Sequence, residues 1–242
     1  MSNPRPLEKE AYDMSGARLA LTLCVTKARE GSEADLDALE RMFRQLGFQS
    51  TTKRDPTAQQ FQEELEKFQR AIDAREDFVS CAFVVLMAHG LEGRLKGEDE
   101  KMVELENLFR VLNNKNCQAL RAKPKVYIVQ ACRGEQRDPG ETVGGDNTVM
   151  IIKDDLDTIP TYTDTLHIYS TVEGYLSYRH DQDGSCFIQT LVDVFLERKG
   201  PILDLLTEVT RRMAEEEVVH EGEARKLNPQ IESTLRKQLY LQ

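Results

Sequence analysis

The chain reads as an α/β protein with a largely parallel sheet. Two observations carry that reading: apolar runs of strand length alternate with long amphipathic stretches, and two of the runs are apolar on both faces. The first strand is expected over Arg18 to Val25 (RLALTLCV). Ser32 then opens a helix through Leu46, with Asp35 as a capping-box partner and Gly47 ending it. Phe48 to Lys53 reads as a short strand. Thr57 with Gln60 marks a second helix, to about Arg75. Ser80 to Met87 (SCAFVVLM) is a buried strand followed by Ala88, His89 and Gly90. A helix is expected over Glu104 to Asn113. Lys125 to Ala131 (KVYIVQA) is a second buried strand, followed by Cys132, Arg133 and Gly134.

From Glu135 to about Thr165 the chain turns rich in Asp, Gly and Thr and loses its periodicity, as long functional or mobile loops do. Order resumes with a strand over Leu166 to Thr171, a helix over Ser185 to Arg198 and a longer one over Pro201 to Val219. The alternation of Ile231, Leu235, Leu239 and Leu241 suggests a closing strand pair.

Composition bounds what the protein can be. Its 242 residues allow one large domain or two small ones, and 40% hydrophobic with 31% charged residues can bury a core. No window reaches the roughly 18 apolar residues of a membrane span, and the N-terminus lacks a secretory apolar core, so a soluble intracellular protein is expected. With 32 basic and 42 acidic side chains the net charge is −10, and no basic run is present. Nucleic acid and anionic membranes are therefore poor partners. The same charge argues, at face value, against an acidic substrate. Cys24, Cys81, Cys117, Cys132 and Cys186 are odd in number and lack C-x-x-C spacing, which disfavours disulfides and zinc. No metal or cofactor is expected.

The chemistry concentrates at two strand ends. Carboxyl ends of parallel strands face the binding crevice of an open sheet, so His89 and Cys132 would meet there if their strands are near neighbours. A thiol needs a base to become a thiolate, and the same imidazolium can later protonate a leaving amine. The adjacent glycines let backbone N–H groups approach an oxyanion. Cys81 begins the strand that His89 ends. Cys24 falls inside a strand, Cys186 inside a helix and Cys117 in a loop or helix end. His167 is strand-internal, whereas His180 and His220 lie in polar segments. All of these read as structural or solvated.

Gln130-Ala131-Cys132-Arg133-Gly134, with a histidine 43 residues upstream of the cysteine, resembles the caspase signature, and the likeness extends from about Arg18 to Leu241. The resemblance implies a three-layer α/β/α sandwich around a six-stranded, mostly parallel sheet. It implies Cys132 as nucleophile, His89 as general acid/base, and the N–H groups of Gly90 and Cys132 as the oxyanion hole. Ala28 to Ser32 and Gly174 to Arg179 look like the family's two arginine segments. Arg29, Arg179 and Gln130 would then bind a substrate aspartate at P1, Ser177 and Arg179 would pair with the substrate backbone, and Leu176 and Tyr178 would line P2. Two guanidiniums forking a carboxylate where water is excluded outweigh a screened global charge, which removes the objection to an acidic substrate. No acidic residue is placed to orient His89. A backbone carbonyl near Lys27 is the expected substitute. Ala88 replaces a common serine and Tyr178 a common tryptophan.

The same resemblance divides the chain into a short extension (1–17), a large subunit (18–146), a linker cut on maturation (147–165) and a small subunit (166–242). The extension is too short for an initiator's recruitment domain. Asp138, Asp146, Asp154, Asp155, Asp157 and Asp164 are candidate cut sites, with Asp146 foremost. Implied partners are protein substrates, the subunit heterodimer, its homodimer and an activating protease. The opening AYDMSGARLAL and the loop RGEQRDPGETVGGD resemble a branch of the family that acts in the cytoplasm and nucleus of differentiating keratinocytes, on filaggrin-type proteins, rather than in apoptosis. Two rivals stand beside a protease. A thiol phosphatase would need arginine where Asp138 stands. A catalytically silent interaction protein would be expected to have lost the cysteine, the histidine or the pocket arginines.

Overall fold

The computed structural model describes residues 11–91, 93–133, 159–172, 183–216, 218–220 and 223–242. In chain order its elements are β1 (Ala17–Cys24), α1 (Ser32–Gln45), β2 (Phe48–Arg54), α2 (Ala58–Asp73), β3 (Val79–Met87), β4 (Gly90–Leu91), β5 (Arg94–Lys96) and β6 (Met102–Glu104). There follow α3 (Leu105–Val111), β7 (Lys125–Gln130), β8 (Thr165–Tyr169), α4 (Cys186–Glu197), α5 (Ile202–Glu215), β9 (Val218–His220), β10 (Glu223–Arg225) and β11 (Gln230–Ser233).

Six strands form the central sheet in the order β11-β8-β7-β3-β1-β2. All neighbours run parallel except β11 against β8. Every residue of β3 and of β7 is buried, as expected for strands covered on both faces. Leu39, Met42 and Phe43 of α1, Ile188 and Leu191 of α4 and Leu206 of α5 pack on one face. Phe61 and Leu65 of α2 and Leu108 of α3 pack on the other. The expected three layers and mostly parallel six-stranded sheet are thus present.

Local chemistry explains the departures. Thr57 and Gln60 do form a capping box on α2, but Asp35 does not cap α1, whose N-cap is Gly31 without a side-chain bond. The Asp35 carboxylate is instead fully buried, accepting from Ser185 N at 2.8 Å and Gln189 Nε2 at 2.9 Å, where burial pushes its pKa up. Helix α5 stops at Glu215, and the short pair β9 and β10 follows it. The tail contributes one strand, β11, rather than a pair. Beyond it the chain is held by isolated bridges of Gln238 to Ala11 and Tyr240 to Pro201. The small sheet β4-β5-β6 had no periodic signal, because its strands are two or three residues long.

A buried seam joins the chain on the two sides of the Asp-rich loop. Asp164, within that loop's expected limits, is fully buried, accepting from Tyr12 Oη at 2.7 Å and from Arg236 at 3.0 and 2.9 Å. Buried Asn114 donates to the carbonyls of Pro160 (2.9 Å) and Thr163 (3.2 Å) and accepts from Lys125 Nζ at 2.8 Å. Burial draws the Lys125 ammonium down to about 8. Arg18 donates to the Leu241 carbonyl at 2.7 Å.

His167 lies in an aromatic stack, 4.3 Å from the Phe109 ring, 5.4 Å from Tyr127 and 6.2 Å from Tyr169, with Glu232 at 4.0 Å. Desolvation lowers its pKa from 6.5 to about 4. A base whose folded pKa lies below its unfolded value takes up protons on unfolding, so stability falls as pH drops from 6.5 towards 4. The loss of unfolding free energy between pH 7.5 and 4.5 is expected to be smaller by about 2 kcal/mol in His167→Phe than in the parent, as measured by denaturant titration.

Candidate active site

The site is a consequence of strand order. From β1 the chain crosses to β2 on one side and, by way of α2, to β3 on the other, so the sheet's topological switch point lies between β1 and β3. Ligand crevices open at such points, beyond the carboxyl ends of the strands. Three strands end there at one level: Cys24 is in register with Met87, and Met87 with Gln130. The alignment continues past the strands, with Val25 N donating to Met87 O at 2.8 Å and Ala88 N to Gln130 O at 3.3 Å. His89 follows Ala88, and Cys132 follows Gln130 and Ala131. The two residues singled out by their strand-end context therefore sit at the ends of adjacent parallel strands.

Gly90 shows how closely the two segments approach. A Cβ at this position would lie 2.7 Å from the Cys132 carbonyl oxygen, 2.9 Å from Ala131 Cβ and 3.0 Å from the Arg94 carbonyl. Only glycine fits between two backbones at that spacing. Cys132 is partly exposed at the crevice. Burial pushes the other thiols up, Cys24 to about 11 and Cys81, Cys117 and Cys186 to about 12, which keeps them as protonated, unreactive groups.

His89 is oriented by backbone, at the residue that follows Lys27. Its Nε2 lies 3.3 Å from the carbonyl oxygen of Ala28. A carbonyl only accepts, so the proton of the neutral ring belongs on Nε2 and Nδ1 is the basic nitrogen. The Glu100 carboxyl nearby is held below its usual range, by Lys96 first and by Lys27 more weakly.

Arg29 and Gln130 are both buried at this end of the sheet. Arg29 Nη1 donates to Val25 O at 3.0 Å, and the Arg29 carbonyl accepts from Ser32 Oγ at 2.7 Å. Arg133, which sequence reasoning assigned no role, stacks its guanidinium 4.0 Å over the Tyr169 ring and donates to Gln230 Oε1. It thereby ties the residue after the cysteine to β8 and β11. Neither contact has a local sequence signal, since both partners are distant in the chain. Leu176, Ser177, Tyr178, Arg179 and Asp146 lie outside the described residues. Among the described residues no cluster of His, Cys, Asp and Glu could hold a metal, and no helix is long and apolar enough to cross a membrane.

Residues 17–240 match the Caspase domain family. The chain belongs to that family, and it is a caspase-type cysteine peptidase. It is 82% identical to human Caspase-14 over 242 residues, spanning all of both chains, and 70% identical to mouse Caspase-14 over 253 residues, spanning 100% of this chain and 98% of that one. Among solved structures, Caspase-1 from Spodoptera frugiperda superposes with a TM-score of 0.84 at 25% identity, covering 99% of this chain and 96% of that one.

The close approach at Gly90 makes it a sensitive probe. Gly90→Ala is expected to displace the Cys132 backbone and lower peptidase kcat/KM by about 100-fold with an unchanged far-ultraviolet circular dichroism spectrum, since misplacements of this kind act on the chemical step.

Proposed function

We propose that the protein is an aspartate-directed endopeptidase in which Cys132 attacks the scissile carbonyl and His89 manages the protons. The in-register ends of β3 and β7, carrying His89 and Cys132, are the observation that supports this most strongly. In this reading His89 Nδ1 takes the thiol proton while Nε2 keeps its bond to Ala28. The thiolate adds to the carbonyl carbon, and the N–H groups of Gly90 and Cys132 receive the oxyanion. Collapse of the adduct breaks the C–N bond, and the imidazolium returns its proton to the leaving amine. Water, deprotonated by His89, then hydrolyses the thioester and restores the thiol.

Arg29, Gln130 and Arg179 would recognise the P1 aspartate. Ser177 and Arg179 would hold the substrate backbone, and Leu176 and Tyr178 would face P2. The burial of Arg29 and Gln130 at the switch-point end of the sheet supports the first assignment, because a guanidinium removed from water binds a carboxylate more strongly. The protein would be made as a single-chain precursor and cut after Asp146 into large and small subunits. These would pair and dimerise through the C-terminal strand. The burial of Asp164 favours a cut upstream of it. The identity to Caspase-14 supports a role in keratinocyte terminal differentiation and cornification, in cytoplasm and nucleus, on filaggrin-type substrates.

Linker-cleaved protein offered a peptide library varied at P1 should cut after aspartate alone, and Cys132→Ala or Arg179→Ala should abolish turnover. Cleavage after other residues, or turnover that survives either substitution, overturns the assignment. Asp146→Ala should slow the appearance of large and small fragments in keratinocyte extracts. Fragments formed at the parental rate would place the cut elsewhere.

A further inference from the structure

Two residues other than glycine hold left-handed backbone beside the site: Ala28 at φ 53° and Asp55 at φ 51°. Such conformations persist only where the surroundings over-determine them, and they cluster where a backbone group must be aimed. Here the two are linked. Asp55 follows β2, and its own N–H donates to Cys24 O at 2.7 Å. Its carboxylate Oδ1 accepts from Thr26 N at 2.7 Å and Lys27 N at 3.2 Å, and both oxygens lie 3.0 Å from Thr26 Oγ1. The Thr26 carbonyl in turn accepts from Arg29 N at 3.0 Å. The carboxylate thus clasps the turn whose next residue, Ala28, presents its carbonyl to His89 Nε2.

We propose that Asp55 is a positioning residue for the peptidase reaction: by holding the Thr26–Lys27 turn it keeps the Ala28 carbonyl aimed at His89 Nε2, which sets the ring's tautomer and leaves Nδ1 to serve Cys132. The proposal rests on the reading of His89 as the acid/base. A carboxylate suits the task because three donors converge on it. An asparagine can keep both N–H bonds on its one acceptor oxygen, but it loses the negative charge and puts an NH2 group where Oδ2 accepts from Thr26 Oγ1. Burial raises the Asp55 pKa, but the bonds from Thr26 and Lys27 outweigh it and leave the carboxyl below its ordinary value, so the clasp stays ionised at neutral pH. Arg29 has its own supports in Val25 O and Ser32 Oγ, so loss of the clasp should disturb His89 more than the P1 pocket.

The test compares Asp55→Ala, Asp55→Asn and Thr26→Val in the full chain nicked in the linker, with a peptide amide carrying aspartate at P1. Loss of orientation by about an ångström costs on the order of 100-fold, so kcat should fall by that factor in Asp55→Ala with KM within about threefold. Asp55→Asn should recover part of the rate, and Thr26→Val should lose only a few-fold. The acid limb of kcat/KM should move to lower pH, because the imidazolium loses a carbonyl acceptor, and 15N NMR of the His89 ring should show less of the Nε2–H tautomer. Should Asp55→Ala fail to fold, the other two variants carry the test with the same shifts in smaller measure. A fall in kcat accompanied only by lower thermal stability, with limb and tautomer unmoved, overturns the proposal, as does a parental rate in Asp55→Ala and Asp55→Asn. His89→Ala and Cys132→Ala serve as references: turnover surviving in them would defeat the acid/base reading itself, whereas their inactivity beside fully active Asp55 variants would defeat the Asp55 proposal alone.

Discussion

The molecule is organised around the pairing of β3 with β7. Both strands are buried along their whole length, so neither can stand at an edge or face water, and each must be covered by helices on two sides. That requirement places α1, α4 and α5 on one face and α2 and α3 on the other. It also leaves their ends as the places where these two strands reach the surface, whereas the edge strands β2 and β11 are exposed along much of their length. Burial of the strands and exposure of His89 and Cys132 are therefore two results of one constraint.

Much of this could be read from residue order. The two doubly apolar runs fall within one residue of their strand limits, because a strand buried on both faces tolerates no polar interruption and its ends are marked abruptly. His89 and Cys132 were recoverable because chemically reactive residues followed such runs. Other features were hidden for definite reasons. The orienting group of His89 is a backbone carbonyl, and nothing about the identity of Ala28 advertises it. Asp35 has the spacing of a capping partner, yet tertiary bonds from Ser185 and Gln189 outcompete the cap. The place of Arg133 has no local signal, because its partners Tyr169 and Gln230 come from distant segments.

The two parts of the chain on either side of the Asp-rich loop are bound by more than strand pairing. Parallel β7 and β8 share a ladder across that division, and the buried groups Asn114, Lys125, Asp164 and Tyr12, joined by the exposed Arg236, make hydrogen bonds across it. Buried polar groups are costly when left unsatisfied, so the network holds best when whole. A backbone break within the loop would leave these non-covalent bonds in place.

Asp164 gives the seam a further significance. For a peptidase family that reads aspartate, an aspartate in its own chain is a potential target, and this one is hidden by its bonds to Tyr12 and Arg236 as long as the seam is closed. Its peptide bond becomes available only to a chain that has come apart. A fragment ending at that residue would therefore be a record of unfolding, a mark of damage and not of signalling, and the same holds for Asp35, the other aspartate that is fully buried among the described residues.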